Sequence, residues 1–207
     1  MLSSFGVLMV AACSSSAQTT STRTIGSFTA ISAFGIGDIE YVQAHAPKVV
    51  LEGTKELVER TETRVDGTTL LIQQKTTSNQ SFRNARLKVT IYGPRVEKVT
   101  LQGAVKFRSS TLAGSAFKLD VSGASGATVS GKVARLTLHA DGAVHVDAGK
   151  LDAETVSVNA SGASQVQVTA SRTVAISASG ASNVTYGGAA KQIQTQLSGA
   201  SKASRRN

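Results

Sequence analysis

The sequence predicts an all-β protein whose second half is a parallel β-helix, a β-solenoid of stacked coils of about 19 residues. The motif Ser-Gly-Ala-Ser occurs four times, and Asp141-Gly-Ala143 is a fifth, related turn. A fixed period of this length is typical of solenoids, in which each repeat buries its apolar face only against its neighbours. A glycine marks each period, at Gly103, Gly123, Gly142, Gly162, Gly180 and Gly199.

Each coil is predicted to contain a strand that ends at the repeat glycine. Apolar or small residues recur in steps of two before each glycine, with mostly polar residues between them. This alternation is typical of a strand with one buried face. The predicted inward positions are Phe117, Leu119, Val121, Leu136, Leu138, Ala140, Val156, Val158, Ala160, Val174, Ile176, Ala178, Ile193, Thr195 and Leu197.

A second, shorter strand is predicted after each glycine turn. The turn at Asp141 is interpreted as two residues shorter than the others, so that its second strand begins at Val144. A coil of this length is too short for a strand–helix–strand crossover of about 30 residues, so parallel strands are expected to stack roughly 4.8 Å apart. The predicted inward positions of these strands are Ala127, Val129, Val144, Val146, Val166, Val168, Val184 and Tyr186.

The glycine turns are expected to stack as a structural ladder, because glycine permits the positive φ that sharp corners need. The predicted ladder residues are Gly123, Gly142, Gly162, Gly180 and Gly199. An alternative stays open for the serines beside them: their aligned hydroxyls could instead meet a ligand or another subunit.

The first half is predicted to contain strands without the tight repeat. Turn signals separate them at Ala46-Pro47, Asp66-Gly67 and Gly93-Pro94. One short helical turn is predicted at Leu57–Arg60. The predicted strands are 28–34, 36–43, 48–52, 68–74, 86–91 and 96–101.

Five segments of this half precede the repeated coils in a fixed order: Phe28-Thr-Ala-Ile31, Gly37-Asp-Ile-Glu-Tyr-Val42, Asp66-Gly-Thr-Thr-Leu-Leu-Ile72, Leu87-Lys-Val-Thr-Ile91 and Val99-Thr-Leu-Gln-Gly103. Together with the periodic half, this order resembles the head GIN domain family, also called DUF2807 or the putative auto-transporter adhesin domain. The resemblance covers about residues 25–201. It implies a right-handed parallel β-helix that is exported to the bacterial envelope, and it supplies no catalytic residues.

The amino terminus predicts export and lipid attachment. Residues 1–12 are interpreted as a signal peptide, because an apolar stretch too short to span a bilayer ends in Val10-Ala-Ala-Cys13, which resembles a bacterial lipobox. Cys13 is then the predicted lipidation site, and residues 13–25 are a flexible tether rich in Ser, Thr and Gln. The head GIN-like domain follows at 26–201, and 202–207 form a basic tail. An ordinary signal peptide with an incidental cysteine is the alternative.

The predicted location is the bacterial cell envelope, at the outer membrane, on either its periplasmic face or the cell surface. This prediction depends on the serine that follows Cys13, which resembles the sorting pattern of enteric-type lipoproteins.

The chain carries a formal net charge of +9, and the excess is unevenly placed. Residues 48–118 hold 13 Lys/Arg against 6 Asp/Glu, whereas residues 119–199 hold 5 of each. A basic surface attracts anionic partners, so an anionic glycan or glycolipid is a candidate ligand, against the simpler interpretation that scattered charge maintains solubility. Nucleic acid is excluded as a partner, because no stacking aromatics accompany the basic residues and export removes the chain from the cytoplasm.

No cluster of residues predicts catalysis, a cofactor or a metal. His139 and His145 fall on different strands of their coil, so they are expected to point from different faces. Paired carboxylates for glycoside hydrolysis must converge within about 5–10 Å, and Asp120 and Asp141 lie at different offsets from their glycines. The protein is therefore predicted not to be an enzyme.

The preferred function is a binding or scaffold module of the envelope, with adhesion as its role and self-association through flat polar faces as an option. Two alternatives stay open: a partner-binding envelope-stress module, and a polysaccharide-active β-helix enzyme with acids near Asp147–Glu154.

Overall fold

The computed structural model describes residues 18–75 and 87–206. The predicted signal peptide at 1–12 and the predicted lipidation site Cys13 lie outside the described residues. The elements are β1 (Gln18–Thr24), β2 (Ala30–Gln43), β3 (Lys48–Thr54), α1 (Lys55–Arg60), β4 (Thr61–Asp66), β5 (Thr69–Gln74), β6 (Lys88–Gly93), β7 (Lys98–Gly123), β8 (Gly126–Gly142), β9 (His145–Gly162), β10 (Gln165–Ala178), β11 (Asn183–Gly187), β12 (Gln192–Leu197) and β13 (Lys202–Arg205).

The repeat half is an all-β solenoid of about five turns, as the sequence predicts. The long strands β7 to β10 follow one another in parallel register, and each bends through the glycine corner or a second corner. Equivalent positions stack in columns, such as Phe117 beside Leu136, Leu136 beside Val156 and Val156 beside Val174. β-Branched residues suit these columns because they pack well on a pleated surface.

The predicted inward positions of the first four repeats form the core. Leu119, Leu136 and Leu138 are fully buried, and the columns of valine and alanine around them are buried as well. Phe28, Phe107 and Phe117 fill the wider front part of the same core. The narrow core explains why small residues dominate the repeats while the few aromatic residues lie mainly in the first half.

The last coil has the predicted inward register, but its inward residues are not covered. Ile193 and Leu197 were expected in the core but are 38% and 46% exposed, and every residue of β12 is exposed. The physical reason is position: β12 pairs with β10, and no described strand covers its other side. The interior of the solenoid is therefore open at this end.

The Asp141 turn also differs from its interpretation. Gly142 pairs with Gly123, and His145 pairs with Gly126, so no residue is lost across this turn. Val144 occupies the place that Ser125 holds in the previous coil, and it is buried there. The coil that is two residues shorter is the next one, after Gly162, where the β9–β10 register shifts between Val168 and Thr173.

The front of the solenoid is covered by strands that leave the parallel pattern. β3 pairs antiparallel with β6, β1 pairs antiparallel with β3, and β4 pairs antiparallel with β5. The helix α1 lies beside them with Leu57 and Val58 buried, and the Thr61 hydroxyl donates to the Leu57 carbonyl at 2.7 Å. The predicted helical turn is confirmed, and it begins two residues earlier than expected.

The structure differs from the predicted boundaries at both ends. Gln18–Thr24, assigned to the flexible tether, form β1, and the Arg23 guanidinium holds this strand by donating to Thr61 O at 2.6 Å and Val58 O at 2.9 Å. The predicted basic tail begins as β13, which pairs in parallel with β11. Both segments are mostly polar, apart from Ala203, which packs against the core, and both pair with the edge of an existing strand.

Tyr41 lies on β2, is hydrogen-bonded to the end of β6, and has a raised pKa. Its side chain is buried, and its hydroxyl donates to the carbonyls of Gly93, at 3.3 Å, and Pro94. Burial raises the pKa of Tyr41 to about 12, whereas an unfolded tyrosine titrates near 10. The contribution of Tyr41 to stability is therefore fully present below pH 10 and is lost as pH rises towards 12.

We expect the stability of the protein to fall at alkaline pH because Tyr41 ionises more readily in the unfolded chain. The free energy of unfolding should fall by about 2–3 kcal/mol between about pH 10 and 12 because of Tyr41. A Tyr41→Phe variant should lose about 1 kcal/mol at neutral pH and should lack that part of the alkaline decline. Urea unfolding of both proteins across this pH range measures the difference; identical alkaline slopes would contradict the assignment.

Candidate functional site

The five predicted ladder glycines form one continuous stack along a corner of the solenoid. Their φ angles lie between +68° and +103°. A Cβ atom on any of them would lie 2.6–2.9 Å from the carbonyl oxygen of the glycine one coil earlier. Both conditions restrict the position to glycine, because L side chains rarely adopt such a φ and no Cβ fits at that distance.

The second serine of each Ser-Gly-Ala-Ser turn lies in the same corner as the glycine stack. Ser125, Ser164 and Ser182 are buried. The Ser164 hydroxyl donates to Ser161 O at 2.7 Å, and the Ser182 hydroxyl donates to Ser179 O at 2.8 Å. These hydroxyls donate to backbone carbonyls inside the corner, so they help to hold the stacked turns together.

The outer faces carry polar side chains that bond to the next coil. His139 Nδ1 lies 3.2 Å from Asn159 Nδ2, and His145 Nδ1 lies 3.1 Å from Gln165 Oε1. The two histidines lie on different walls of the solenoid, as the sequence predicts. No group of three or more His, Cys, Asp or Glu side chains could hold a metal ion within residues 18–75 and 87–206.

The acidic residues of the repeats are engaged separately. Asp147 Oδ1 accepts from Gly149 N at 3.0 Å, which fixes its own turn. Glu154 Oε2 pairs with Arg172 Nη1 at 3.1 Å, and Asp141 Oδ1 accepts from the Ser161 hydroxyl at 2.6 Å. Asp152 and Glu154 lie two residues apart on one exposed face of β9, where a neighbouring arginine already neutralises Glu154.

A charged groove lies where the coils meet the antiparallel strands that cover the front of the solenoid. The sequence analysis did not predict it. Its volume is about 340 Å³, and Lys88 Nζ lies 3.7 Å from Glu40 Oε2 and 3.8 Å from Glu52 Oε2. The groove is lined by Gln18, Thr19, Thr20, Asp38, Ile39, Glu40, Glu52, Lys88 and Arg108. These residues come from five strands that are far apart in the chain, so no local motif could reveal them.

The groove can hold a small polar ligand but shows no catalytic arrangement. Lys88 bridges two carboxylates, so its ammonium group is paired and the three side chains together carry one net negative charge. Arg108 and Asp38 lie at the margin on β7 and β2.

The opposite end of the solenoid differs from the front in having an open interior. We call the last coil, Lys191–Arg206, the rear end. It contains β12 and β13, and its basic side chains are exposed at Lys191, Lys202, Arg205 and Arg206. The Arg205 guanidinium donates to Gly188 O at 3.0 Å, and Arg206 N donates to Tyr186 O at 2.8 Å, so the end of the described chain is tied to the coil before it.

No helix among residues 18–75 and 87–206 is long and apolar enough to cross a membrane. The stacked coils and the covered front define a β-solenoid of about five turns. The sequence family described as "Putative auto-transporter adhesin, head GIN domain" (DUF2807) matches residues 27–190, and the chain belongs to this family. The predicted family is thereby confirmed.

Solved structures share this fold. A putative adhesin from Bacteroides fragilis is 16% identical, with a TM-score of 0.76 over 93% of this chain and 98% of that chain. A putative adhesin from Parabacteroides merdae is 18% identical, with a TM-score of 0.55 over 92% and 96%. A putative lipid binding protein from Parabacteroides distasonis is 17% identical, with a TM-score of 0.51 over 92% and 97%. A search of curated proteins found no match.

Proposed function

We propose that this protein is a non-enzymatic lipoprotein of the bacterial cell envelope that displays an adhesive binding module at the cell surface. The module is a right-handed parallel β-helix with coils of about 19 residues, anchored in the outer membrane through a lipid on Cys13. The observation that carries the proposal is the match of residues 27–190 to an adhesin family.

The outer faces support a binding role over a catalytic one. Their histidines, serines and amides bond along the stack, and their carboxylates are paired or used in turns. Such faces are flat and pre-formed, so a ligand or a second copy of the chain can lie against them without any ordering of loops. Two partners fit: an anionic glycan or glycolipid, and another copy of this chain.

The course of the chain supports display of the rear end. β1 begins at Gln18, so only four residues separate it from Cys13, and the five Cα–Cα steps between the two span at most about 18 Å. The rear end lies six strand spacings beyond β2, or roughly 29 Å away. A lipid on Cys13 would hold the front near the membrane and leave the rear end facing outward.

Palmitate labelling of the full-length chain in a bacterial host tests the anchor. The unaltered protein should incorporate labelled palmitate and fractionate with membranes. A Cys13→Ala variant should lose both properties, and a Ser16→Ala variant should keep them. Label retained by Cys13→Ala, or no label on the unaltered protein, would exclude the lipid anchor.

Two further assays separate the rival functions. Loss of viscosity when acidic polysaccharides are incubated with the protein would identify a polysaccharide-active enzyme. A single membrane protein recovered after crosslinking in cells would identify an envelope-stress module. The proposed binding module predicts unchanged viscosity and increased adherence of cells that carry the unaltered chain relative to Cys13→Ala cells.

A further inference from the structure

The rear end of the solenoid exposes apolar side chains that would be buried in any earlier coil. Ile193 pairs with Val174, and Leu197 pairs with Ala178; both partners are buried. Ile193 and Leu197 point towards the same interior and are 38% and 46% exposed, because no described strand covers them. An apolar patch therefore opens at this end of the solenoid, separate from the exposed Phe34 and Ile36 of the front.

The charged residues of the rear end are all basic: Lys191, Lys202, Arg205 and Arg206 are exposed. The guanidinium groups of Arg205 and Arg206 turn back to Gly188 O and Thr169 Oγ1, whereas Lys191 and Lys202 flank β12 in the sequence. No Asp or Glu follows Glu154 in the sequence. The apolar patch thus lies within a surface of one sign of charge.

The positive charge of the rear end favours some binding partners over others. A second copy that approached with its own rear end would bring four like charges against four, which disfavours association. An acidic polysaccharide would satisfy the cations but would leave Ile193 and Leu197 against water. A membrane that contains anionic lipid satisfies both features, because acyl chains accept aliphatic side chains while headgroup phosphates attract lysine and arginine.

We propose that the rear end docks on an anionic lipid membrane, with Ile193 and Leu197 entering the headgroup region and Lys191 and Lys202 contacting lipid phosphates. This inference rests on the proposed function and deepens it by naming the adhesive surface and its partner. With the front held by Cys13, the docked membrane is a second one that faces the cell.

Vesicle flotation tests the docking surface without the anchor. The full-length chain with Cys13→Ala is mixed with vesicles of equal parts phosphatidylcholine and phosphatidylglycerol, and with pure phosphatidylcholine vesicles. We expect binding to the anionic vesicles only. The double variant Lys191→Gln/Lys202→Gln should bind roughly 30-fold more weakly, and Ile193→Ser/Leu197→Ser roughly tenfold more weakly.

Matched controls lie elsewhere on the solenoid. Lys132→Gln/Lys150→Gln removes the same charge from exposed positions outside the rear end, and Ile36→Ser removes an exposed apolar side chain of the front. Both should bind anionic vesicles as the parent does. Circular dichroism of every variant checks that the fold is retained, which is expected because all altered side chains are exposed.

Three outcomes would overturn the docking surface. Equal loss of binding in the control pair would mean that net charge, not the rear end, drives attraction. Full binding by Ile193→Ser/Leu197→Ser, with displacement by an acidic polysaccharide, would identify a glycan ligand. A dimer in light scattering that the same variant abolishes would identify a second copy as the occupant. Palmitate labelling is independent of all three, so failure here leaves the anchor testable by itself.

Discussion

Replacing Gly123 with alanine is expected to lower the free energy of unfolding by about 2–5 kcal/mol. The added Cβ would lie 2.6 Å from the carbonyl oxygen of Gly103, at a φ of +85° that alanine rarely adopts. The positive φ costs about 1–2 kcal/mol, and relieving the contact by moving a packed corner adds about 1–3 kcal/mol. Urea-induced unfolding of the two proteins measures the loss.

Gly126→Ala is the matched control, three residues further along the same turn. Its φ lies outside the positive region, and the nearest atom to an added Cβ is His145 O at 3.4 Å. We expect a change of less than about 0.5 kcal/mol, as for an unstrained surface site. Equal destabilisation by both alanines would show that the corner stack has no special requirement for glycine.

Replacing Leu138 with alanine is expected to cost about 2–5 kcal/mol, the range for a buried leucine that leaves a cavity. Leu138 is fully buried in the middle coils, with strands stacked on both sides of β8. Because the core is narrow, few side chains can move to fill the space. Thermal and urea unfolding of Leu138→Ala against the unaltered protein give the loss.

Leu197→Ala is the control, because the sequence also places Leu197 at an inward position, in the neighbouring column of Ala140 and Ala178. In the structure Leu197 is 46% exposed, so its truncation removes little buried surface and should cost less than about 1 kcal/mol. A loss as large as that of Leu138→Ala would mean that the rear end is covered in solution, by another copy or another segment.

The fold of the repeat half could be predicted because every coil has the same pattern of alternating apolar residues and a turn glycine. One strand such as 136–142 is ambiguous alone, but its alternation and its glycine recur in neighbouring coils, and stacking requires them to align. The exposure of Ile193 and Leu197 could not be predicted this way. Period-two alternation shows which side of a strand faces the interior, but it does not show whether another coil covers it.

The strands that cover the front of the solenoid were harder to predict. Several of them form because they pair with a neighbouring strand, and not because they have an apolar face of their own. β1 is a run of Gln, Ser, Thr and Arg that reads as a tether, and it is a strand only because β3 offers an edge and Arg23 reaches Val58 and Thr61. β4 was missed for a similar reason: it pairs with β5 alone.

The candidate surfaces also differ in whether the sequence could predict them. The glycine ladder could be found from the sequence, since its members share one local motif. The charged groove depends on Lys88 meeting Glu40 and Glu52 from separate strands, and the rear end depends on which coil is last in the stack. Both arise from tertiary contacts that have no periodic signal.

Surface labelling of intact cells tests the account most directly. Cells that carry the full-length chain are treated with an amine-reactive biotin that does not cross membranes, and the labelled lysines are identified by mass spectrometry. The account predicts biotin on Lys191 and Lys202 in intact cells, because the front is anchored and the rear end faces outward. Labelling of these lysines only after the outer membrane is opened would place the protein in the periplasm and contradict its role as a surface adhesin.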